Sequence, residues 1–500
     1  MQKIGIIDLG SNTARLVVYA YEPGEWFYLA DQIREPVRLA EGLAATGVLG
    51  EAAMWRAFGA LQLYADFAED THLSHVHVVA TSAVREARNR HAFLDQVGRL
   101  GLEVSVLSGE EEARSGVLAV ANSFCLEDAW VMDLGGGTAQ LSLMRGRQFV
   151  EGQDYPLGAV RLTEDHLAAD PPKKKDIKRL ITEVSDRLEG VLESIRAEPV
   201  PLVAMGGTAR NLARAVQKSR NYPMSQVHGY FLSREDLEEL VDRLLAMDRT
   251  ERTRVVGIKP DRADVIVAGA LVYRTVLRES GLPGLRISGQ GLREGTFYQH
   301  FLPAPHLIPD VRTFGIQNLF ARYPQPAEHT EQVRFFASRL FNELEPLHGY
   351  GAEEARILDE AAWLHDIGMT VGYHGHHRHG AYLIDTGLLP GMTHRELALL
   401  TLLVRYHRKG RPRPGHYQQA LDKEDRTLLR RLAACLRLAE QLERGRANRV
   451  RDLAVEIGPG TVHLSLLADD PPRVELVGAE KQAAVFESAF GRKLTIGLAG

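Results

Sequence analysis

Two segments of this chain follow one plan: GIIDLGSNTARLVVYA from Gly5 to Ala20, and WVMDLGGGTAQLSLM from Trp130 to Met144. In each, an apolar run ends on an aspartate (Asp8, Asp133), small residues make a turn, and a second apolar run follows. The first continues through PGEW into FYLADQI, the second through RGRQ into FVEGQDYPLG. Both read as strand, tight turn, strand, short turn, strand, with helical patterns after them. Between them, VHVVATSAVREARN (76–89) reads as a strand, a turn at Thr81 and Ser82, then a helix. EVSVLSGEEEARSG (103–116) reads as a strand entering a helix capped by Ser108. An internal repeat built from strands alternating with helices argues for an α/β fold with a largely mixed sheet.

Composition narrows the class. A length of 500 residues predicts three or four domains, and 45% hydrophobic with 25% charged residues is ordinary for a water-soluble chain. The net charge of −5 excludes a global basic field of the kind that binds nucleic acid, so any polyanion site is local. Cys125 and Cys435 sit in apolar, helix-like contexts, which predicts buried thiols in a reducing compartment. No run approaches the roughly 20 apolar residues that span a bilayer, and the first strand begins almost at the N-terminus. The expectation is a cytoplasmic protein without a membrane partner.

Two further strand–glycine–helix junctions occur, PLVAMGGTARNLAR (201–214) and LRISGQGLREGTFY (285–298). Glycine at a strand end admits a ligand close to the backbone, and the following helix start offers free N–H groups to an anion. The four junctions name the candidate phosphate-binding residues: Gly10, Ser11 and Asn12; Gly135, Gly136, Gly137 and Thr138; Gly206, Gly207 and Thr208; Gly289, Gly291 and Glu294. A carboxylate beside such a loop repels phosphate unless a divalent cation lies between them, which makes Asp8 and Asp133 candidate magnesium-side residues. The alternative is that each aspartate bonds its own turn. Hydrolysis of a phosphoanhydride also needs a base for water, and GEEEAR offers Glu110, Glu111 and Glu112. Adjacent helical residues point about 100° apart, so one or two of the three face a cleft.

The segments DLGSNTARL, SGEEEAR, VMDLGGGTAQL, AMGGTARNL and GLREG together resemble the exopolyphosphatase and guanosine pentaphosphate phosphohydrolase family over roughly residues 1 to 305. The resemblance implies a duplicated fold of the actin, Hsp70 and sugar-kinase type, with Mg²⁺ (or Mn²⁺) as cofactor. It implies Glu112 as the catalytic glutamate and Arg85 as an arginine that reaches substrate phosphates. Inorganic polyphosphate is the expected substrate and guanosine pentaphosphate the alternative; a non-enzymatic phosphate or nucleotide sensor is disfavoured by the intact GEEEA. A long basic path favours the polymer, an aromatic pocket near the cleft the nucleotide.

From about Phe301 a linker-like stretch leads into helical periodicity up to about Arg449. His329 heads an apolar helix face with Val333, Phe336 and Leu340, WLHDIG carries His365 and Asp366, and a later helix carries Glu440. This order resembles the HD metal-dependent phosphohydrolase superfamily. The resemblance implies His329, His365, Asp366 and Glu440 as ligands of a second divalent metal, with Glu443 an option where the pattern has aspartate. RYHRKGRPRPGHY gathers Arg405, Arg408, Lys409, Arg411 and Arg413, a basic strip suited to a long polyanion. The expected organisation is two actin-like lobes (1–125 and 126–305), an all-α HD-like domain (306–450) and a small α+β cap (451–500). Oligomeric state is left open, a homodimer included.

Overall fold

The two Asp-Gly segments form matching hairpins. Strand β1 (Gln2–Leu9) pairs antiparallel with β2 (Ala14–Glu22), Leu9 opposite Ala14 and Asp8 opposite Arg15. In the second copy, after β3 (Trp26–Glu35), β4 (His75–Ala80) and β5 (Val104–Val106), β6 (Ala129–Leu134) pairs with β7 (Ala139–Arg145), Leu134 opposite Ala139 and Asp133 opposite Gln140. Gly10 donates its N–H to the Thr13 carbonyl at 3.2 Å and Gly135 to that of Thr138 at 2.9 Å, so both turns close the same way. The computed structural model describes residues 1–499.

The second set is completed by β8 (Gln148–Tyr155), β9 (Leu202–Met205), β10 (Phe231–Ser233) and β11 (Gly284–Ile287). The sheet orders are β3-β2-β1-β4-β5 and β8-β7-β6-β9-β11-β10, the same mixed arrangement twice with one added edge strand. This duplication is the actin-like fold. Each sheet is covered by helices whose apolar residues recur every three or four positions. Ala53, Ala57, Leu61 and Tyr64 of the helix Glu51–Asp70 pack on Ile7, Leu9, Leu16 and Val18. Leu180, Val184, Leu188 and Leu192 of the helix Lys174–Ala197 join the core of the second sheet.

The structure departs from the expected lobe boundaries. The helix Gly109–Ala121, placed by sequence in the first lobe, packs Val117, Val120 and Ala121 against Ala129, Val131, Met144 and Val203 of the second sheet. The helix Leu292–Phe301 returns to the first: Phe297 stacks on Tyr19 at 4.2 Å, and Phe301 lies 5.1 Å from Phe27. Pattern along the chain shows which residues are apolar, not which sheet they cover. The two helices touch at Gly295, where a Cβ would stand 2.0 Å from the Ser115 carbonyl oxygen.

One compact unit runs from Met1 to Val311, and the second begins at Arg312 rather than at 306. The second contains the helices Ala327–Glu343, Ala352–Leu364, His376–Thr386, His394–Tyr406 and Asp425–Leu442. It ends in a small sheet of β12 (Val450–Ile457), β13 (Thr461–Ala468) and β14 (Lys493–Leu498), in that order. Cys435 is buried as expected, but Cys125 is exposed, because the helix stops at Ala121 and the thiol falls in the irregular stretch beyond the following turn. Among the described residues, no helix is long and apolar enough to cross a membrane.

Candidate active site

The strand ends carrying Asp8 and Asp133 converge on a cleft of about 550 Å³ within the first unit. Its lining takes in the turns at Gly10–Asn12 and at Gly135, Gly136 and Thr138, together with Gly206, Gly207, Gly289, Gly291 and Glu112. One glycine is required by geometry, and a second lies against a movable side chain. Gly206 has a φ of 90°, and a Cβ there would meet the Asp133 Oδ1 and the Leu134 carbonyl oxygen, both at 2.8 Å. At Gly207 a Cβ would stand 2.6 Å from the Arg262 guanidinium.

Four sequence-predicted phosphate or substrate contacts have protein partners in the structure. Gly137 backs onto the neighbouring turn, with a would-be Cβ 2.7 Å from Ser82 Oγ, and is absent from the cleft lining. Thr208 is buried against Gly269. Glu294 lines the cleft, but its carboxylate accepts from the Gly291 N–H at 2.8 Å and the Tyr19 hydroxyl at 3.0 Å. It caps its own helix, and as an anion it repels phosphate. Arg85 donates to the Leu107 carbonyl at 2.8 Å, to Glu112 at 3.2 Å and to Asp154 at 2.7 Å. It holds the glutamate rather than pointing at the substrate space.

Glu112 is selected from its three neighbours by the start of its helix. Ser108 and Glu111 bond each other's backbone N–H in a reciprocal cap, which commits Glu111. Glu110 pairs with Arg114 at 2.6 Å, well exposed. Glu112 alone turns inward. Burial and the nearby Asp133 carboxylate push it up to about 8, against the opposing pull of Arg85. Burial likewise raises Asp133 to about 6, with Arg210 pulling it down and Asp8 pushing it up, and burial raises Asp8.

Asp8 and Asp133 are the carboxylates of the cleft that could hold a divalent cation. Asp8 and Asp133 are desolvated and repel one another, which a divalent cation would reverse. No three His, Cys, Asp or Glu ligand atoms of the cleft lie mutually within 4.8 Å among the described residues. A cation there would complete its shell from water and phosphate oxygens, the habit of Mg²⁺ rather than of a metal caged by protein. The residues fit the ion.

Sequence reasoning missed the cationic wall. Arg15, Arg34, Arg210, Arg214, Arg262 and Arg293, with Lys259, line the same cleft. Burial and crowding by Arg293 and Arg210 lower Arg15 to about 9; burial and Arg34 lower Arg262 to about 10, so both stay charged at neutral pH. The signal was present, since Arg15, Arg210 and Arg293 lie inside the glycine motifs themselves. Asp154, which bonds Arg85 and takes a 3.2 Å hydrogen bond from Gln140, was read only as part of a strand.

Residues 17–303 match the family model described as Ppx/GppA phosphatase family, and residues 311–470 that of Ppx/GppA phosphatase, domain III. The chain belongs to the Ppx/GppA phosphatase family. Among Ppx/GppA proteins, a guanosine-5'-triphosphate,3'-diphosphate pyrophosphatase from Aeromonas hydrophila is 28% identical over 80% of this chain and 79% of its own length. The crystal structure of an exopolyphosphatase from Cytophaga hutchinsonii matches with a TM-score of 0.57 and 25% identity, over 60% of this chain and 98% of that one. A Ppx/GppA family member from Aquifex aeolicus gives a TM-score of 0.51 and 29% identity, over 59% and 96%.

In the second unit, His329, His365 and Asp366 form one cluster of buried ligand atoms, and Asp366, His376 and His407 another. Glu440, expected as the fourth ligand, belongs to neither. Its carboxylate takes Gln441 and, at 3.2 Å, Arg444, because the helix turns it to its own i+4 neighbour. Glu443 accepts from the Asn448 N–H at 3.2 Å and closes its own loop. Within the basic strip, Arg408 lies over the Tyr373 ring at 5.1 Å, while Lys409, Arg411 and Arg413 are exposed.

Proposed function

We propose that this Ppx/GppA phosphatase is a magnesium-dependent exopolyphosphatase, releasing orthophosphate from the end of inorganic polyphosphate in the cytoplasm. The observation that carries the substrate is the cleft wall. It sets six arginines and a lysine against four carboxylates and, among the described residues, presents no aromatic ring on which a guanine base could stack. Such a lining recognises repeated phosphates rather than a nucleoside.

The chain's own groups supply the chemistry. The N–H groups of Ser11 and Asn12 in the first turn, of Gly136 in the second and of the Gly206 helix start cradle the terminal phosphates. Glu112, ionised, takes a proton from water as the water oxygen bonds to the terminal phosphorus. The bridging P–O bond breaks, its electron pair leaves with the shortened chain, and orthophosphate departs. Arg210 and Arg293 neutralise the oxygens on which charge collects. Arg85, held from behind by Asp154, fixes the Glu112 carboxylate. Bound Mg²⁺, held by Asp8 and Asp133, would add charge neutralisation on the phosphate oxygens.

A second reading, hydrolysis of guanosine pentaphosphate in the same cleft, is favoured by the similarity to the Aeromonas hydrophila pyrophosphatase. Phosphate release from polyphosphate, guanosine pentaphosphate and ATP measured side by side decides between them. The polymer is expected to give the highest kcat/KM; a higher value for guanosine pentaphosphate overturns the assignment.

A further inference from the structure

We propose that His228, a buried residue behind the cleft lining, is a positioning residue for hydrolysis: through the backbone of Gly289 it holds Arg210 where phosphate charge is neutralised. This role rests on the cleft chemistry proposed above and adds a residue that lies outside every glycine motif.

Backbone pairing brings His228 to its place. The Gly229 N–H donates to the Ile287 carbonyl at 2.9 Å, and the Ile287 N–H donates to the Tyr230 carbonyl at 2.9 Å. The residues after His228 thereby run alongside the end of β11 and continue into β10, its antiparallel partner. Two residues past Ile287, at Gly289, the chain enters the cleft lining. A Cβ on Gly289 would stand 3.0 Å from the His228 Cβ, closer than packed side chains normally come. Glycine is what lets the imidazole reach the backbone here.

Both ring nitrogens are used, and their partners fix the state of the ring. The Gly289 N–H donates to His228 Nδ1 at 3.2 Å. A backbone N–H only donates, so Nδ1 offers a lone pair. His228 Nε2 lies 3.1 Å from the Ser123 carbonyl oxygen. A carbonyl only accepts, so Nε2 carries the hydrogen. The imidazole is therefore neutral and held in one tautomer. It is 6% exposed and lies on the Phe124 ring, with centroids 4.5 Å apart. Ser123 follows closely on the helix Gly109–Ala121, and its hydroxyl donates to the Ala119 carbonyl at 2.6 Å. One side chain thus ties the last glycine junction of the cleft to the end of the helix that carries Glu112.

The other polar group of Gly289 meets the cationic wall. Arg210 Nη1 donates to the Gly289 carbonyl at 3.0 Å. A neutral carbonyl orients a guanidinium without cancelling its charge, as a carboxylate would, so the charge is kept for phosphate. Glycine has the widest backbone freedom of any residue, and its carbonyl stays aimed only when something else fixes it. His228 does so by holding the N–H of the same residue. Displacement of a positioned group by about 1 Å can cost about 100-fold in rate, which gives this anchor its kinetic weight.

Two substitutions separate positioning from packing. In His228→Asn the amide oxygen takes the place of Nδ1 and keeps the bond from Gly289. In His228→Gln the amide reaches the Ser123 carbonyl instead, and Gly289 loses its acceptor. Both remove the ring from Phe124, so both should lower the unfolding midpoint to a similar extent. In the full-length protein with Mg²⁺, His228→Gln should lower kcat about 10- to 100-fold with KM nearly unchanged, because the other arginines still grip the phosphates; His228→Asn should stay within about threefold. With Arg210→Ala already present, His228→Gln should lower kcat no further. Should His228→Gln not fold, Gly289→Ala serves in its place: its methyl group pushes on His228, and its loss of kcat should likewise vanish beside Arg210→Ala. The comparison is made on whichever of polyphosphate and guanosine pentaphosphate turns over faster, so it does not depend on which is the substrate. Equal kcat in the Asn and Gln variants, or a loss that persists without Arg210, overturns the proposal and leaves the cleft chemistry standing. Undiminished turnover in Arg210→Ala alone overturns both.

Discussion

Glu112 has an environment that fits it to one task. A carboxylate raised to about 8 is a far stronger base than an ordinary glutamate, but only the fraction that is ionised acts. Because the active form is the deprotonated one, kcat/KM should climb as pH rises and level off above about 8. Glu112→Gln should lower kcat by about 10²- to 10⁴-fold with little change in polyphosphate binding. A near-normal rate in that variant would remove Glu112 from the mechanism. Asp154 acts one step further back. Replacing it by Asn removes a negative charge near Glu112 and frees Arg85 to turn wholly onto the glutamate, and both effects favour the ionised carboxylate. The inflection of the pH profile should move down and kcat should fall, by less than for Glu112→Gln; an unmoved inflection would make Asp154 a bystander. The residue scale is also where sequence reading was least even. Glycine motifs gave the loops, because a backbone that must approach a ligand leaves few other choices. They hid the arginines within them, because an arginine in a helix looks alike whether it faces solvent or a cleft. They could not show that Gly137, Thr208 and Glu294 each have a packing or capping contact as well.

At the scale of elements, the helix Gly109–Ala121 that carries Glu112 depends on a helix nearly two hundred residues later in the chain. Gly295 of the helix Leu292–Phe301 meets Ser115, three residues after Glu112, with no room for a methyl group. Gly295→Ala should therefore cost about 1–3 kcal/mol of stability by overpacking and also reduce turnover by displacing Glu112. Gly190 is the control: it lies exposed in the helix Lys174–Ala197 with nothing within 4 Å of a would-be Cβ, so alanine should stabilise by about 0.5–1 kcal/mol. Urea titration of both variants measures the contrast, and equal effects would mean the helix contact is slack. The hairpin repeat, the Ser108 cap and the strand–glycine–helix junctions were legible because each is written within a dozen consecutive residues. The exchange of helices between the two sheets was not, since it depends on which apolar faces meet across the fold. Ion pairs join the sheets' margins as well, Arg38 to Asp264 at 3.1 Å and Arg161 to Glu86 at 2.5 Å.

At the scale of the whole molecule, the chain forms two compact units, Met1–Val311 and one that begins at Arg312. Calorimetry of the intact chain should resolve two transitions. Gly295→Ala should lower one of them and leave the other in place. Polyphosphate with Mg²⁺ should raise that same transition, by about 2.7 kcal/mol at a hundred times its dissociation constant. A single transition that both changes move would show that the units unfold as one.

The row of guanidiniums in the cleft has a further consequence for a polymer that is eaten from its end. A fixed number of cationic side chains can face only a fixed number of phosphate units. While the chain overhangs that stretch, losing one unit leaves the gripped portion unchanged, and each round of cleavage starts from the same binding energy as the last. Once the remnant is shorter than the stretch, every unit removed takes one ionic contact with it and releases fewer counterions on rebinding. Degradation should thus run at a steady pace down to a short oligomer and then stall, with the stalling length set by the arginines and growing as salt weakens each contact.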